Sequence, residues 1–573
     1  MSTLSSRTAP ASRPDGWWRS SVVYQIYPRS FSDSNGDGIG DLAGVLSRLD
    51  HLSELGVDVL WLSPFYQSPQ VDNGYDISDY RGIDPLFGTL EQFDDLVAQA
   101  HDRGMKVVID LVVNHTSDQH PWFLESREPG SPKRDWYHWR TARPGHEPGN
   151  AGAEPEDSAA AFAPSIWTFD PKSGEYYLAL FSPAQPDLNW ENHEVREAVY
   201  DMMRWWIARG VDGFRMDVIN LISKPEELTS GRPLAPDAAI HAKSFNGPRL
   251  DEFLQEMNRE TGLSDLNLLT VGEMPGATVE VARRVTDPER GELNMVFTFE
   301  HVAVDEGPGG KWDLAPLHVP RLKQNLAAWQ EGLAGVGWNS LYFANHDQPR
   351  TVSRFGDDSP EHRVNSAKTL ATVLHLHQGT PYIYQGEEFG MTNAPFTEIS
   401  DFADVESINH HTLAVAAGVP EEDVLRSLAT KGRDNARTPV QWDASEHAGF
   451  TTGEPWLPVN PNHVEVNAEA ARRDPSSVFA HFKRLIELRH AEPVVREGRF
   501  ELLLPEHEQV WAFTRTLDTD AWLVVANCSS EPVEVPREAL PSVDGAELVL
   551  GTHPDGDPSF LAPWESRILR LAR

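Results

Sequence analysis

The sequence predicts an α/β fold. A parallel (β/α)8 TIM barrel carries an inserted domain after its third strand and is followed by a C-terminal antiparallel β-sandwich domain. Three observations carry this. Short apolar runs alternate with amphipathic helical stretches from residue 22 to about residue 386. The rhythm breaks once, after His115, into an irregular Trp-, Pro- and Gly-rich segment. From about residue 500 the period changes to short alternating strands. Strands joined through helices make a parallel sheet, and eight of them close a barrel.

In chain order, 1–16 is polar and Ser/Pro-rich and reads as a disordered leader. The first barrel part, 17–115, holds strands at 22–30, 59–64 and 106–113 and helices at 41–55 and 90–103. Gly104 is the expected C-cap of the second helix. The third strand is a Val/Ile/Leu run broken only by Asp110. Residues 116–186 form the insertion, with a low-complexity piece at 144–163. The barrel resumes over 187–498 with strands at 213–218, 268–273, 295–300, 340–345 and 381–384. Helices at 194–208, 250–260, 322–332 and 364–377 separate most of them. A polar, Pro-rich excursion at about 387–461 forms a subdomain, and a helix follows at 476–489. Strands at 501–504, 509–514, 522–527, 547–550 and 567–571 make the C-terminal domain, 499–573.

Composition narrows the function classes. With 87 acidic against 49 basic residues the net charge is −38. That argues against nucleic acid or an anionic membrane as partner. No apolar run is long enough to span a membrane. Cys528 is the single cysteine, so no intrachain disulfide forms and a cytoplasmic location is expected. The 18 tryptophans and 12 tyrosines decide nothing alone, since most will be core.

In such a barrel, chemistry sits at the C-terminal ends of the strands. Those ends present Asp72, Tyr75 and Asp76; Asn114 and His115; Arg215 and Asp217; Glu273; and His346 and Asp347. Singly, each has a structural reading as a satisfied core histidine, a helix cap or an Arg–Asp pair. Three acids, two histidines and an arginine at one mouth are too much charge for structure alone. Two carboxyls in different environments suit glycoside cleavage. Asp217, beside Arg215, is expected to stay ionised and attack. Glu273, flanked by Val271 and Met274, is expected to have a raised pKa and to work as acid and base. Asp347 is the expected stabiliser of the transition state, with His115 and His346 holding sugar hydroxyls.

Four segments carry a resemblance: Asp-Leu-Val-Val-Asn-His (110–115), Gly-Phe-Arg-Met-Asp-Val-Ile-Asn (213–220), Val-Gly-Glu-Met (271–274) and Phe-Ala-Asn-His-Asp (343–347). In this order at strand ends they are similar to the signature regions of the α-amylase family of glycoside hydrolases (glycoside hydrolase family 13). Gln-Pro-Asp-Leu-Asn (185–189) and Gly-Arg-Asp-Asn-Ala-Arg-Thr-Pro (432–439) resemble its oligo-1,6-glucosidase and α-glucosidase branch. The resemblance covers about 17–573 and implies a retaining mechanism: Asp217 nucleophile, Glu273 acid/base, Asp347 stabiliser. It implies that Asp72, Tyr75, His115, Arg215, His346 and Arg433 line the pocket for a terminal glucose. A paired Asp72 and Arg433 would close that pocket and make the enzyme exo-acting on small oligosaccharides. In this branch, valine after the nucleophile goes with α-1,6 linkages, so Val218 implies isomaltose-type substrates, the alternative being that it simply packs. The chain departs from the family's usual pattern at 144–165, where it is Ala-, Glu-, Pro- and Gly-rich.

The loop 33–41 offers oxygen at alternate positions: Asp33, Asn35, Asp37, the Ile39 carbonyl and Asp41. This resembles the first part of a calcium-binding loop and sets an expectation of a structural Ca2+, against a metal-free Gly/Asp turn. No organic cofactor is expected. Competing readings are a broad, α-1,4- or sucrose-directed α-glucosidase, a transglucosidase or sucrose isomerase, a metal-dependent hydrolase and a non-catalytic sugar-binding relative. The oligomeric state is left open, a monomer included.

Overall fold

The computed structural model describes residues 16–230, 234, 240–553 and 559–572. Apart from Gly16, the leader therefore lies outside the described residues. The barrel strands are β1 (Val23–Ile26), β2 (Val59–Leu62), β3 (Lys106–Val112), β4 (Gly213–Asp217), β5 (Leu269–Glu273), β6 (Met295–Phe297), β7 (Ser340–Leu341) and β8 (Thr380–Tyr384). They pair in parallel order, β1 with β8 as well as β2. A parallel bridge between Val296 and Asn339 links β6 to β7 and brings the sheet round.

Alternation along these strands decides what points inward. At the lower levels Val23, Val59, Trp61, Val108, Leu269, Val271, Met295 and Phe297 fill the barrel as one apolar cluster. Near the C-terminal ends the same inward positions turn polar. Register sets Asp110 level with Arg215, and Val112 with Asp217. The barrel axis thus runs from a dry core to a charged mouth within two residues of strand.

Four predicted elements differ, one being the strand at 295–300, which ends at Phe297 and gives way to a 3-10 turn at Glu300–Ala303. The helix at 41–55 is two helices, Leu42–Ser47 and Leu49–Leu55, interrupted at Arg48. Arg48 stacks its guanidinium 4.3 Å over the Trp442 ring and donates to the Gly449 carbonyl. The strand at 22–30 ends at Ile26, because Pro28 opens a one-turn helix, Pro28–Phe31, with its ring at the first helical position. The strand at 340–345 pairs only at Ser340–Leu341. Residues beyond it are held by side chains, as where the Tyr342 hydroxyl donates to Thr298 O at 2.6 Å.

Between β3 and the helix His193–Ala208 the inserted segment folds as a three-stranded sheet, with Glu175–Leu178 between Trp139–Arg140 and Trp167–Asp170. The C-terminal sheet is antiparallel: β9 (Arg499–Leu503), β10 (Val510–Leu517), β11 (Asp520–Asn527), β12 (Glu547–Gly551) and β13 (Ser566–Arg570), in the order β9-β10-β11-β13-β12. A separate pair, Val533–Glu534 with Phe560–Leu561, accompanies it. This sheet meets the barrel helix Arg363–His375 and the short helix Pro493–Glu497, both of which pack on the helix Val478–Ala491, with Thr369 donating to Trp564 O at 2.7 Å. Among the described residues no helix is long and apolar enough to cross a membrane.

Candidate active site

Arg215 is the hub of the mouth. Its Nη1 lies 2.5 Å from Asp110 Oδ1 and 2.7 Å from Asp217 Oδ1, and its Nη2 lies 2.6 Å from Glu273 Oε2. β4 delivers the arginine and Asp217, β3 delivers Asp110 and β5 ends on Glu273. One cation against three buried carboxyls leaves an excess of negative charge, which makes ionisation costly.

Burial lifts Glu273 to about 8, with Arg215 pulling it down and Asp217 and Asp347 pushing it up. Burial also lifts Asp217 to about 6, although Arg215 opposes it. Desolvation thus outweighs the guanidinium beside Asp217. Glu273 goes beyond its expectation, since its neighbours raise it by charge as well as by burial. The order survives. Near neutral pH the mouth holds a protonated Glu273 beside an ionised Asp217. The two carboxyls share the Arg215 guanidinium, Asp217 at 2.7 Å and Glu273 at 2.6 Å.

Asp347 sits in a second network. Arg437 Nη2 lies 2.7 Å and Arg433 Nη1 3.3 Å from its Oδ1. Burial works against its charge, yet Arg433 and Arg437, joined by His346 once that ring is protonated in acid, hold it well below the usual carboxylate range. Arg433 caps and Arg437 ends the single turn Asp434–Arg437, so spacing of four brings both to one side. Arg433 also binds Asp72 at 3.1 Å and Asp404 at 2.6 Å. The expected Asp72–Arg433 pair is therefore formed. Burial lifts Asp72 to about 6 against the pull of Arg433.

The histidines are buried and engaged. Burial pushes His346 down to about 3, so the ring is neutral. Gln25 Nε2 donates to its Nδ1 at 2.8 Å, which leaves the ring proton on Nε2, 2.6 Å from the Tyr75 hydroxyl and 3.3 Å from Asp347 Oδ2. Tyr75 stacks on this ring with centroids 5.2 Å apart. His115 has Tyr75 O at 3.1 Å from Nε2 and Asn114 Nδ2 at 3.3 Å from Nδ1.

Val218 differs most from its simple strand reading. It ends β4 in a left-handed conformation, φ 35° and ψ 41°, where a β-branched residue is strained. That turn aims its amide at Glu273 Oε2, 3.1 Å away. Its side chain joins a buried apolar cluster that includes Ile166, Trp167 and Leu178 of the insertion.

Several participants went unassigned in the sequence reading. Asp110 stood as a break in an apolar run and as the first residue of a quoted motif, without a role. Arg437 lay within a quoted motif without a role. Asp404 had no periodic signal at all. Lys224, which bridges Asp187 Oδ2 at 2.5 Å and Asn114 Oδ1 at 2.6 Å, was likewise silent.

The loop 33–41 lies against 450–455: Asp33 N donates to Phe450 O, and a Cβ at Gly38 (φ +88°) would lie 1.8 Å from Glu454 O. Asp33, Asn35 and Asp37 accept from amides of their own loop, and Asp41 caps the next helix at Gly44 N. Among the described residues no three acidic or histidine side chains converge as an ion would need. The donor set is all oxygen, as calcium prefers, but Asp33, Asp37 and Asp41 would have to draw together around it.

Comparison with known proteins agrees with this geometry. The sequence pattern described as alpha amylase, catalytic domain, matches residues 25–498. An oligo-1,6-glucosidase of Parageobacillus thermoglucosidasius is 52% identical, the match covering 97% of this chain and 99% of that one. A trehalose-6-phosphate hydrolase of Bacillus subtilis is 48% identical over 97% of this chain and 98% of its own. Among solved structures, an isomaltulose synthase from Klebsiella sp. LX3 superposes with a TM-score of 0.90 at 40% identity, covering 97% of this chain and 100% of its own. With its family pattern, its barrel and its braced carboxyl pair, the chain belongs to the α-amylase family of glycoside hydrolases.

Proposed function

We propose that the protein is an exo-acting, retaining α-glucosidase that releases glucose from short α-glucosides and prefers α-1,6 linkages. The carrying observation is Arg215 bracing Asp217 and Glu273 as a close pair, with Asp72 and Arg433 joined as a wall. Ionised Asp217 attacks the anomeric carbon while Glu273 gives its proton to the leaving oxygen. Glu273, now a carboxylate, takes a proton from water, which displaces Asp217 and restores the configuration. Asp347, held ionised by its two arginines, faces the positive charge that develops on the sugar. The Asp72–Arg433 wall stops a second sugar beyond the terminal glucose.

These roles carry a pH signature. Asp217 must be ionised and Glu273 protonated, so kcat/KM on isomaltose is expected to fall below about pH 6 and above about pH 8. A flat profile across that window would remove the assignment of the pair.

The linkage preference draws on Val218 and on relatives printed as oligo-1,6-glucosidases. Isomaltose is expected to outrun maltose, sucrose and trehalose, and Val218→Thr to shift the ratio of kcat/KM towards maltose by about tenfold. No glucose from isomaltose would sink the linkage reading, and proton NMR showing β-glucose first would sink retention. A transglucosidase or sucrose isomerase is the second reading, favoured by similarity to the isomaltulose synthase; it shares the glucosyl-enzyme step and yields transfer products from sucrose.

The same reading places a structural calcium at Asp33, Asn35, Asp37, Ile39 and Asp41. Elemental analysis is expected to find about one calcium per chain, and EGTA to lower Tm while leaving activity at 25 °C intact. A calcium-free protein of unchanged Tm would remove it. A cytoplasmic location belongs to this reading as well, in keeping with the single Cys528.

A further inference from the structure

The turn that carries Arg433 and Arg437 is held by its backbone as well as by its side chains. From Asn435 to Thr438 each carbonyl oxygen is taken by a side chain from another segment. Arg350 Nε donates to Asn435 O at 3.0 Å, and Arg350 Nη2 reaches Thr438 O at 3.4 Å and Thr438 Oγ1 at 3.2 Å. The Tyr384 hydroxyl donates to Ala436 O at 2.7 Å, and the Ser30 hydroxyl to Arg437 O at 2.5 Å. A single helical turn makes too few internal hydrogen bonds to keep its own place. Its position therefore falls to these contacts.

Arg350 does the most among them. It follows Asp347 in the segment after β7 and is 2% exposed. Its Nη1 donates to Gln385 O at 2.6 Å, just past β8, and its guanidinium lies 5.4 Å from the Tyr384 ring centroid. Every acceptor of its guanidinium is a carbonyl or a hydroxyl. One rigid fork thus joins the Asp347 segment, the end of β8 and the turn of the two arginines. A methionine would fill similar volume without a buried charge; what it lacks is the fork.

We propose that Arg350 is a positioning residue for the sugar pocket. Its guanidinium sets the turn Asp434–Arg437, and through it the placement of Arg433 on Asp72 and of Arg437 on Asp347. It acts through those two arginines and not on the reacting atoms. Misplacement by about 1 Å is enough for a hundredfold loss of rate. The inference rests on the reading of Asp72 and Arg433 as the pocket wall.

The test is a double-substitution cycle on the full-length enzyme, read as kcat and KM on isomaltose with a thermal melt of each sample. Arg433→Lys alone is expected to raise KM about tenfold; an unchanged KM would remove the wall reading and this inference with it. Arg350→Lys keeps the charge and loses the fork, and is expected to raise KM and the inhibition constant of glucose by about tenfold. In the doubly substituted chain the two effects are expected to fall well short of additive, because a displaced turn no longer sets Arg433 against Asp72. Tyr384→Phe removes one hydroxyl from the same backbone and is expected to raise KM by about threefold. It decides the matter if Arg350→Lys does not fold. Should Arg433→Lys raise KM while Arg350→Lys and Tyr384→Phe lower only Tm, or should the cycle be additive, the role of Arg350 is structural and the proposal falls.

Discussion

Asp217→Ala is expected to lower kcat on isomaltose by about 10⁴-fold or more while the chain stays folded. The carboxylate is the one group aimed to bond the anomeric carbon, and no neighbour replaces it. Asp110 lies across Arg215 at the next strand, and Glu273 is protonated when the site is active. Removing the carboxylate also relieves crowding of like charge around Arg215, so Tm is expected to hold or rise. Steady-state kinetics with a thermal melt on the same sample checks both halves. Turnover within tenfold of the parent would show that the nucleophile lies elsewhere.

The second large effect concerns stability. Arg215→Met is expected to cost about 3–5 kcal/mol near neutral pH, because Asp110, Asp217 and Glu273 lose their common cation while remaining buried. The sign with pH follows from their folded-state values, already raised to about 6, 6 and 8 by burial against Arg215. Without the arginine these rise further. An acid whose folded pKa exceeds its unfolded one contributes stability at low pH that is lost as pH rises through the gap. The Tm deficit of Arg215→Met is therefore expected to widen from pH 4 towards pH 8. A deficit that narrowed with rising pH would contradict the hub, and Arg215→Lys, which keeps the charge, is expected to recover part of the loss.

The arginine shows how legible the site was. Arg215 and Asp217 stand two apart on a strand, so alternation alone placed them on one face. That they serve Glu273 as well depends on the parallel pairing of β4 with β5. Asp110 is similar: the sequence displayed a charge inside an apolar run, and only register set it level with Arg215. The Arg433 motif was readable from its order of residues, yet its partner Asp404 lies in a Pro-rich excursion without period. Helix and strand identities were mostly readable because burial imposes period on a chain. Elements closed by distant contacts, such as the helix broken at Arg48 by Trp442, were not.

By itself the sequence determined the strand–helix rhythm, the inward alternation and the acids at the strand ends, because each depends on neighbours a few residues away. The tertiary structure alone decided how those acids share protons. Desolvation and charge–charge coupling act through space, so the lift of Glu273 above Asp217 exists only once the ends of β4 and β5 and the segment after β7 meet. It also gave Val218, beside the linkage role of its side chain, a strained backbone that offers its amide to Glu273, since φ is set by the turn and not by the residue type.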